Sequence, residues 1–185
     1  MKIAVIGTGY VGLVSGACFS EFGFDVTCVD NDSDKIAKII AGDMPIYEPG
    51  LSDLVSRNVT GGRLHFTTDL KTAVAVADAV FIAVGTPARR GDGHADLSFV
   101  YTVAREAAPF LDGYTVVITK STVPVGTTRE VAKIIAAKNP DAVFDVVSNP
   151  EFLREGAAIS DFMRPDRVVV GAETKAARDV LRALY

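Results

Sequence analysis

The 185 residues are enough for one domain whose core needs neither disulfides nor a structural metal. Apolar residues make up 49% and charged residues 23%, which excludes a disordered chain, and a formal net charge of −4 without any block of like charge offers nothing to nucleic acid or an anionic membrane. No run approaches the roughly 18 apolar residues of a membrane span, the apolar start is too short for a signal peptide, and Cys18 and Cys28 are too few for a disulfide framework or a zinc site; a soluble cytoplasmic protein without a metal is the expectation.

In chain order, the Val/Ile-rich run 2–6 predicts a strand, and Val11, Val14, Cys18 and Phe22 predict one face of a helix. Strand 25–29 leads through Asn31-Asp32-Ser33 to a helical stripe of Ile36, Ile39 and Ile40. His65 and Phe66 lie in a short strand-like piece, and strand 79–84 follows. The glycine-rich segment 88–95, with Arg89 and Arg90, reads as a solvated tip, and His65 and His94 read as structural or solvated. Asp96 or Ser98 opens a helix carrying Val100, Tyr101 and Ala104. After strand 115–119, Thr127 and Glu130 fit a capping box ahead of Val131, Ile134 and Ile135, and Asn139-Pro140 stops that helix. Strands 143–147 and 168–170 complete the set, and Ala177, Val180, Leu181 and Leu184 form a last helical stripe from about Thr174. That helix ends on Leu184-Tyr185 with no glycine cap or polar tail, so the expectation is a helix that has lost a packing partner, cut from a longer protein.

The strand runs do not alternate with polar residues, the signature of strands buried on both faces. Alternated with helices, they predict an α/β fold: a doubly wound, mainly parallel sheet with helices on both faces.

The first strand runs into Gly7-Thr8-Gly9-Tyr10-Val11-Gly12, a G-x-G-x-x-G loop between strand and helix. Gly7 permits a tight turn, Gly9 lets a pyrophosphate approach the backbone, and Gly12 lets the helix lie close to the sheet. The phosphates then meet free N–H groups at a helix N-terminus. Asp30, at the end of the second strand and about 20 residues on, stands where a carboxylate accepts hydrogen bonds from a ribose and repels a 2′-phosphate. Asn31 and Asp32 supply no arginine for that phosphate, so the expected cofactor is NAD, of a Rossmann-like domain. The bland alternative is a glycine turn with a strand-end acid capping the next helix.

Three more polar segments follow strand ends, where ligands of open α/β sheets bind: Gly85-Thr86-Pro87, Lys120-Ser121-Thr122-Val123-Pro124-Val125-Gly126, and Asn149-Pro150-Glu151-Phe152-Leu153-Arg154-Glu155-Gly156. Together with the glycine loop and Pro45-Ile46-Tyr47-Glu48-Pro49-Gly50-Leu51, they resemble the UDP-glucose/GDP-mannose 6-dehydrogenase family, in order and over essentially the whole chain. The two long segments are far more specific than the glycine loop. The stretch Asp161-Phe162-Met163-Arg164-Pro165-Asp166-Arg167 is more similar to the UDP-glucose members than to those acting on GDP-mannose or N-acetylmannosamine.

The resemblance implies that 1–185 is an NAD-binding domain, with a central helix and a UDP-binding domain outside it. It implies oxidation of the C6 hydroxyl of UDP-glucose to UDP-glucuronate in a four-electron reaction that uses two NAD and holds the aldehyde on a cysteine. Gly7, Gly9, Tyr10, Val11 and Gly12 would hold the pyrophosphate, Asp30 with Lys35 the adenosine ribose, and Thr86 and Thr122 the nicotinamide side. Thr122 and Glu151 would be catalytic, positioning water and handling protons. Glu151, Phe152, Leu153, Arg154 and Glu155 would contact the sugar, largely through main chain, with Glu155 touching the cofactor as well. The family's dimer forms through the central helix.

On the residues alone, Glu151 and Glu155 are four apart and would share a face in a helical turn. A carboxylate there, closed off from water, could serve as a base. The plainer alternatives are an acid in a helix's first turn, a surface ion pair for Arg154, and a Thr122 that satisfies a turn. Cys18 and Cys28 fall on buried positions and read as inert core thiols, matching no catalytic cysteine. The chain alone is therefore expected to bind NAD weakly and not to turn over. Two rival readings remain open: GDP-mannose as substrate, and a non-catalytic NAD-sensing module, which would have no use for 151–155.

Overall fold

The computed structural model describes every residue except Arg90 and Asp92, so the reading of Arg90 as part of a solvated tip lies outside the described residues. In chain order the elements are β1 Lys2–Ile6, α1 Tyr10–Glu21, β2 Asp25–Val29, α2 Ser33–Ile40, α3 Leu51–Thr60, β3 Leu64–Thr67, α4 Leu70–Ala75 and β4 Ala79–Ile82. Then come α5 Ser98–Ala107, β5 Tyr114–Thr119, α6 Thr127–Lys138, β6 Val143–Ser148, α7 Ala158–Met163 and α8 Lys175–Leu184. The strands form one sheet in the order β3-β2-β1-β4-β5-β6, and every pair is parallel. This is the doubly wound order, with its switch point between β1 and β4.

Apart from the edge strand β3, residues alternate along the strands between two cores. Ile3, Val5, Val26, Phe81 and Ile118 join α1, α3, α7 and α8 through Leu13, Leu54, Phe162 and Leu181. Ala4, Ile6, Val80, Ile82 and Val117 join α4, α5 and α6 through Val74, Val100 and Val131. Both strand faces are therefore apolar, which is why the runs did not alternate in sequence. Helix α1 is buried throughout 12–20, deeper than a one-sided stripe, while Phe22 falls beyond its end and is exposed. Gly12 makes that depth possible: a Cβ there would lie 1.8 Å from the Gly7 carbonyl oxygen and 3.3 Å from the Ala83 Cβ.

Several local expectations are corrected. Residues 168–170 form no strand; the valines are partly exposed, and the only ladder contact is an antiparallel bridge from Gly171 to Ser148. Thr127 caps nothing as a box: Gly126, at φ 94°, is the N-cap of α6, the Thr127 hydroxyl donates to the Pro124 carbonyl at 2.8 Å, and Glu130 pairs with Lys133. The terminal apolar pair has its partners in this domain. Leu184 is buried, and the Tyr185 ring stacks edge-on against Phe19 at 5.5 Å. His65 faces Asp25 across the β2–β3 pair at 3.5 Å.

The contrast between two glycines gives a test of the packing. Gly12→Val should lower the unfolding free energy by at least about 2 kcal/mol, because its side chain meets backbone. Gly9→Ala, where a Cβ meets nothing within 4 Å, should change it by less than about 0.5 kcal/mol. Denaturant unfolding of both variants measures this, and equal effects would contradict the close approach of α1 to the sheet.

Candidate active site

Because all six strands run the same way, every carboxyl end lies at one edge of the sheet, and side chains tie the loops there to one another. The Gly7 N–H donates to the Val29 carbonyl at 2.7 Å, between β1 and β2. The Ser121 hydroxyl donates to the Val84 carbonyl at 2.6 Å, and the Thr86 hydroxyl to the Thr122 carbonyl at 3.0 Å, joining the loops after β4 and β5. The Asn149 N–H donates to the Thr119 carbonyl at 3.0 Å. The Tyr10 hydroxyl reaches the Arg154 carbonyl at 3.2 Å, across 144 residues of sequence. The glycine loop and the segment 149–156 therefore share one rim.

The glycine loop is built as a bare anion cradle. Gly7 has φ +101°, open to glycine at little cost, and a Cβ there would strike the Ala83 carbonyl at 2.7 Å. Gly9 caps α1 with extended backbone, no side chain bonds to the cap, and no acid lies in the first turn. The N–H groups that open α1 are thus left for a ligand, and a Cβ built on Gly9 would meet nothing within 4 Å. Val11 and Tyr10, in that first turn, are partly buried.

Asp30 is buried at the end of β2. Its Oδ2 accepts from the Thr8 N–H (2.8 Å), the Thr8 hydroxyl (2.7 Å) and the Lys35 ammonium (2.9 Å). Its Oδ1 accepts only from the Asp32 N–H at 3.1 Å. Burial alone would push its pKa up, but Lys35, the two Thr8 donors and Asp32 outweigh it and hold the carboxyl at about 2. A permanent carboxylate with a spare lone pair on Oδ1 fits a ribose diol, so these residues fit the dinucleotide that the sequence implied. Thr8, wholly buried beneath the loop, was not singled out in the sequence because it occupies a variable position of the motif. Asp32, not Asp30, caps α2, through the Lys35 N–H.

The opposite wall is irregular chain. Segment 151–156 is not helical, so Glu151 and Glu155 do not share a helical face, and Glu151 does not stand in a first turn. The reason is visible in its hydrogen bonds. The Leu153 N–H donates to the Glu151 carboxylate (2.6 Å), the Arg154 N–H to Asp161 (2.9 Å) and the Gly156 N–H to Glu48 (2.8 Å). Carboxylates take the donors that a helix would have sent to carbonyls. The Arg154 guanidinium adds a fork to Asp161 at 2.7 Å while staying largely exposed, the surface pair considered as the plainer reading. It holds the Asp161 carboxyl at about 2. Phe152 is exposed beneath the Arg167 guanidinium, 5.9 Å from its ring centre; Leu153 is half-buried and Glu155 exposed. Thr122 is exposed on the rim and Thr86 half-buried beneath it.

Glu151, Phe152, Leu153 and Arg154 line an open cleft of about 490 Å³ together with Lys120, Asn149, Asp161 and Arg167, whereas Thr86, Thr122 and Glu155 are not part of its lining. Lys120 is buried, donating to the Asn149 side-chain oxygen (3.2 Å) and the Tyr185 hydroxyl (3.0 Å), which itself donates to Asn149 at 2.7 Å. Burial lowers its pKa to about 8, and Glu151 works against that fall. Burial likewise pushes the Cys18 and Cys28 thiols up to about 12, so neither supplies a thiolate. Among the described residues no group of three or more His, Cys, Asp or Glu is placed to hold a metal ion, and no helix is long and apolar enough to cross a membrane.

Comparison with known proteins agrees with this geometry. The sequence profile of the UDP-glucose/GDP-mannose dehydrogenase family, NAD-binding domain, matches residues 1–185. The UDP-glucose 6-dehydrogenase of Rhizobium meliloti is 64% identical over the whole chain, which spans 43% of that protein. The UDP-glucose 6-dehydrogenase TuaD of Bacillus subtilis is 51% identical over the whole chain and 40% of its own length. The chain thus spans less than half of these curated relatives. Among solved structures, a UDP-glucose dehydrogenase from Pyrobaculum islandicum superposes with a TM-score of 0.95 at 42% identity, over all of this chain and 43% of that one. A ternary complex of GDP-mannose dehydrogenase from Pseudomonas aeruginosa gives 0.95 at 40%, over all of this chain and 44% of that one. A glycine loop, a strand-end acid and an irregular acidic wall on one rim thus match whole-chain likeness, and the chain belongs to the UDP-glucose/GDP-mannose dehydrogenase family, as its NAD-binding domain.

Proposed function

We propose that this domain serves the NAD-dependent oxidation of the C6 hydroxyl of UDP-glucose to the carboxylate, supplying the cofactor half of the site and one wall of the sugar pocket. The observation that carries this reading is the shared rim: the Tyr10 side chain, rooted in the dinucleotide loop, touches the main chain of Arg154 in the acidic wall. The UDP-glucose reading over GDP-mannose rests on the two closely similar UDP-glucose 6-dehydrogenases above. A purely regulatory NAD sensor would need Gly9 and Asp30 but not the wall 151–155.

When bound, NAD supplies the hydride acceptor for C6. Gly7, Gly9, Tyr10, Val11 and Gly12 hold its pyrophosphate through backbone N–H groups and the N-terminal end of α1. Asp30 accepts from the adenosine ribose through Oδ1 and repels a 2′-phosphate, while Lys35 and Thr8 fix the carboxylate. Thr86 and Thr122, already hydrogen-bonded to each other, line the nicotinamide side. Glu151 has one oxygen fixed by the Leu153 N–H; the other is available to hold water or take the C6 hydroxyl proton, a task shared with Thr122. Phe152, Leu153 and Arg154 shape the sugar pocket, and Glu155 lies between sugar and cofactor. No thiolate is available here to hold an aldehyde, so that step and any dimer-forming helix belong to residues outside these 185.

Three outcomes are expected. In the complete enzyme, Glu151→Gln should lower kcat by about 10²–10³-fold in steady-state assays while NAD affinity stays within about twofold; full activity would remove Glu151 from the proton pathway. The wild-type protein should bind NAD at least about 100-fold more tightly than NADP by titration, and Asp30→Asn should shrink that ratio by about tenfold. The 185 residues alone should release no NADH from UDP-glucose; steady turnover by them would place the whole chemistry inside this domain.

A further inference from the structure

The motif 45–51 has no part in the scheme above, yet its Glu48 is among the few buried charged side chains. Glu48 lies in the loop between α2 and α3, far in sequence from everything it touches. Its Oε2 accepts from the Tyr10 hydroxyl at 2.5 Å and from the Gly156 N–H at 2.8 Å, and its Oε1 accepts from the Ala158 N–H at 2.9 Å. Among the described residues no Lys, Arg or His lies within 4.0 Å of it to form an ion pair. A buried carboxylate held only by neutral donors is costly. An apolar side chain filling the same space would leave the Gly156 and Ala158 N–H groups without an acceptor, so the position calls for acceptor oxygens rather than bulk. What the carboxylate provides is two acceptor oxygens pointing at donors from separate segments.

The donors identify those segments. Tyr10 is the first residue of α1, and its own backbone opens the helix end that the pyrophosphate meets. Gly156 and Ala158 bracket the end of the acidic wall. The Tyr10 hydroxyl, whose one proton is directed to Glu48, also lies 3.2 Å from the Arg154 carbonyl oxygen. Glu48 thus closes a bridge whose two ends are the dinucleotide loop and the chain that contacts sugar.

We propose that Glu48 is a positioning residue for the oxidation: it clamps the wall 151–156 to Tyr10 and so sets the placement of the sugar nucleotide relative to the dinucleotide. This rests on the reading of 151–156 as the sugar wall. A glutamine cannot substitute for it. With a single acceptor oxygen, its amide NH₂ must face either the Ala158 N–H or the Gly156 N–H, donor against donor.

The test is made in the complete enzyme. Glu48→Gln should raise the KM for UDP-glucose by about tenfold or more, since a wall displaced by about an ångström misplaces the substrate, while NAD affinity changes by less than about threefold. Hydrogen exchange should show lost protection at the Gly156 and Ala158 amides with the β-strand amides unchanged. Tyr10→Phe should act in the same direction by about threefold, and the double variant should be no worse than Glu48→Gln alone. If Glu48→Gln does not fold, the KM split of Tyr10→Phe decides. An unchanged UDP-glucose KM, or a parallel loss of NAD affinity and thermal stability, would overturn the clamp and leave Glu48 merely structural. Wild-type activity with GDP-mannose instead of UDP-glucose would refute the substrate assignment alone, the same ratio then being read with that substrate. A wild-type enzyme inert to both would refute the functional reading together with this proposal.

Discussion

Parallelism is the constraint from which the rest of this domain follows. With all strands in one direction, the turns after β1, β2, β4, β5 and β6 must emerge on the same side, whatever their sequence. Parallel strands need long crossovers, the crossovers here are helices, and helices on both faces bury the sheet twice. The two cores, divided by alternate side chains along every strand but the edge strand β3, are the energetic consequence. The rim is the functional one: segments more than a hundred residues apart in sequence come within hydrogen-bond distance because the sheet leaves them nowhere else to go.

A second regularity is the use of carboxylates in place of secondary structure. Asp30 collects donors from Thr8, Asp32 and Lys35. Glu151 and Asp161 each accept from a backbone N–H of the wall, and Glu48 accepts from two more. Buried backbone donors must be satisfied somewhere. When they are satisfied by side chains rather than by an i−4 carbonyl, the backbone is free to leave the helical path and present its own carbonyls and N–H groups outward. An irregular wall of this kind can be rigid without being a helix, which is what main-chain recognition of a sugar requires.

The sequence displayed the sheet better than it displayed the site's scaffolding. Strands β1 and β2 were readable to the residue because continuous Val/Ile runs have few other fates. The helices α3, α4 and α7 were not predicted: α4 and α7 are six residues long, too short for a period of 3.6 to declare itself. The valines of 168–170 mimic a strand, but at the outer side of β6 they gain one bridge and no ladder. For the site, residue types with an intrinsic backbone role were legible: Gly7 makes the tight turn and Gly12 the close approach to the sheet that their spacing implied, and Asp30 lies buried after β2. The pairing of Glu151 with Glu155 was not, because four-residue spacing has meaning only inside a helix. Thr8, Glu48 and Lys120 were invisible in role, since their partners lie 22, 108 and 29 residues away, and no local pattern encodes a contact of that span.

Lys120 shows how the fold keeps charge at the cleft. Its ammonium is bonded to the Asn149 amide oxygen and the Tyr185 hydroxyl and lies 5.6 Å from the ring centres of both Phe162 and Tyr185. These partners are neutral, so they lower the cost of burying the cation without cancelling its field. Burial brings the pKa down to about 8, and the acid that counters the fall is Glu151. The ammonium is therefore charged below that pH and attracts Glu151, whose second oxygen accepts no hydrogen bond from the described residues. Asn149 links this cation to the sheet by donating its backbone N–H to the Thr119 carbonyl and its amide to Val169. A single asparagine at the end of β6 thus orients both the lysine and the start of the acidic wall, and the charge pattern of the cleft is inherited from the end of a strand.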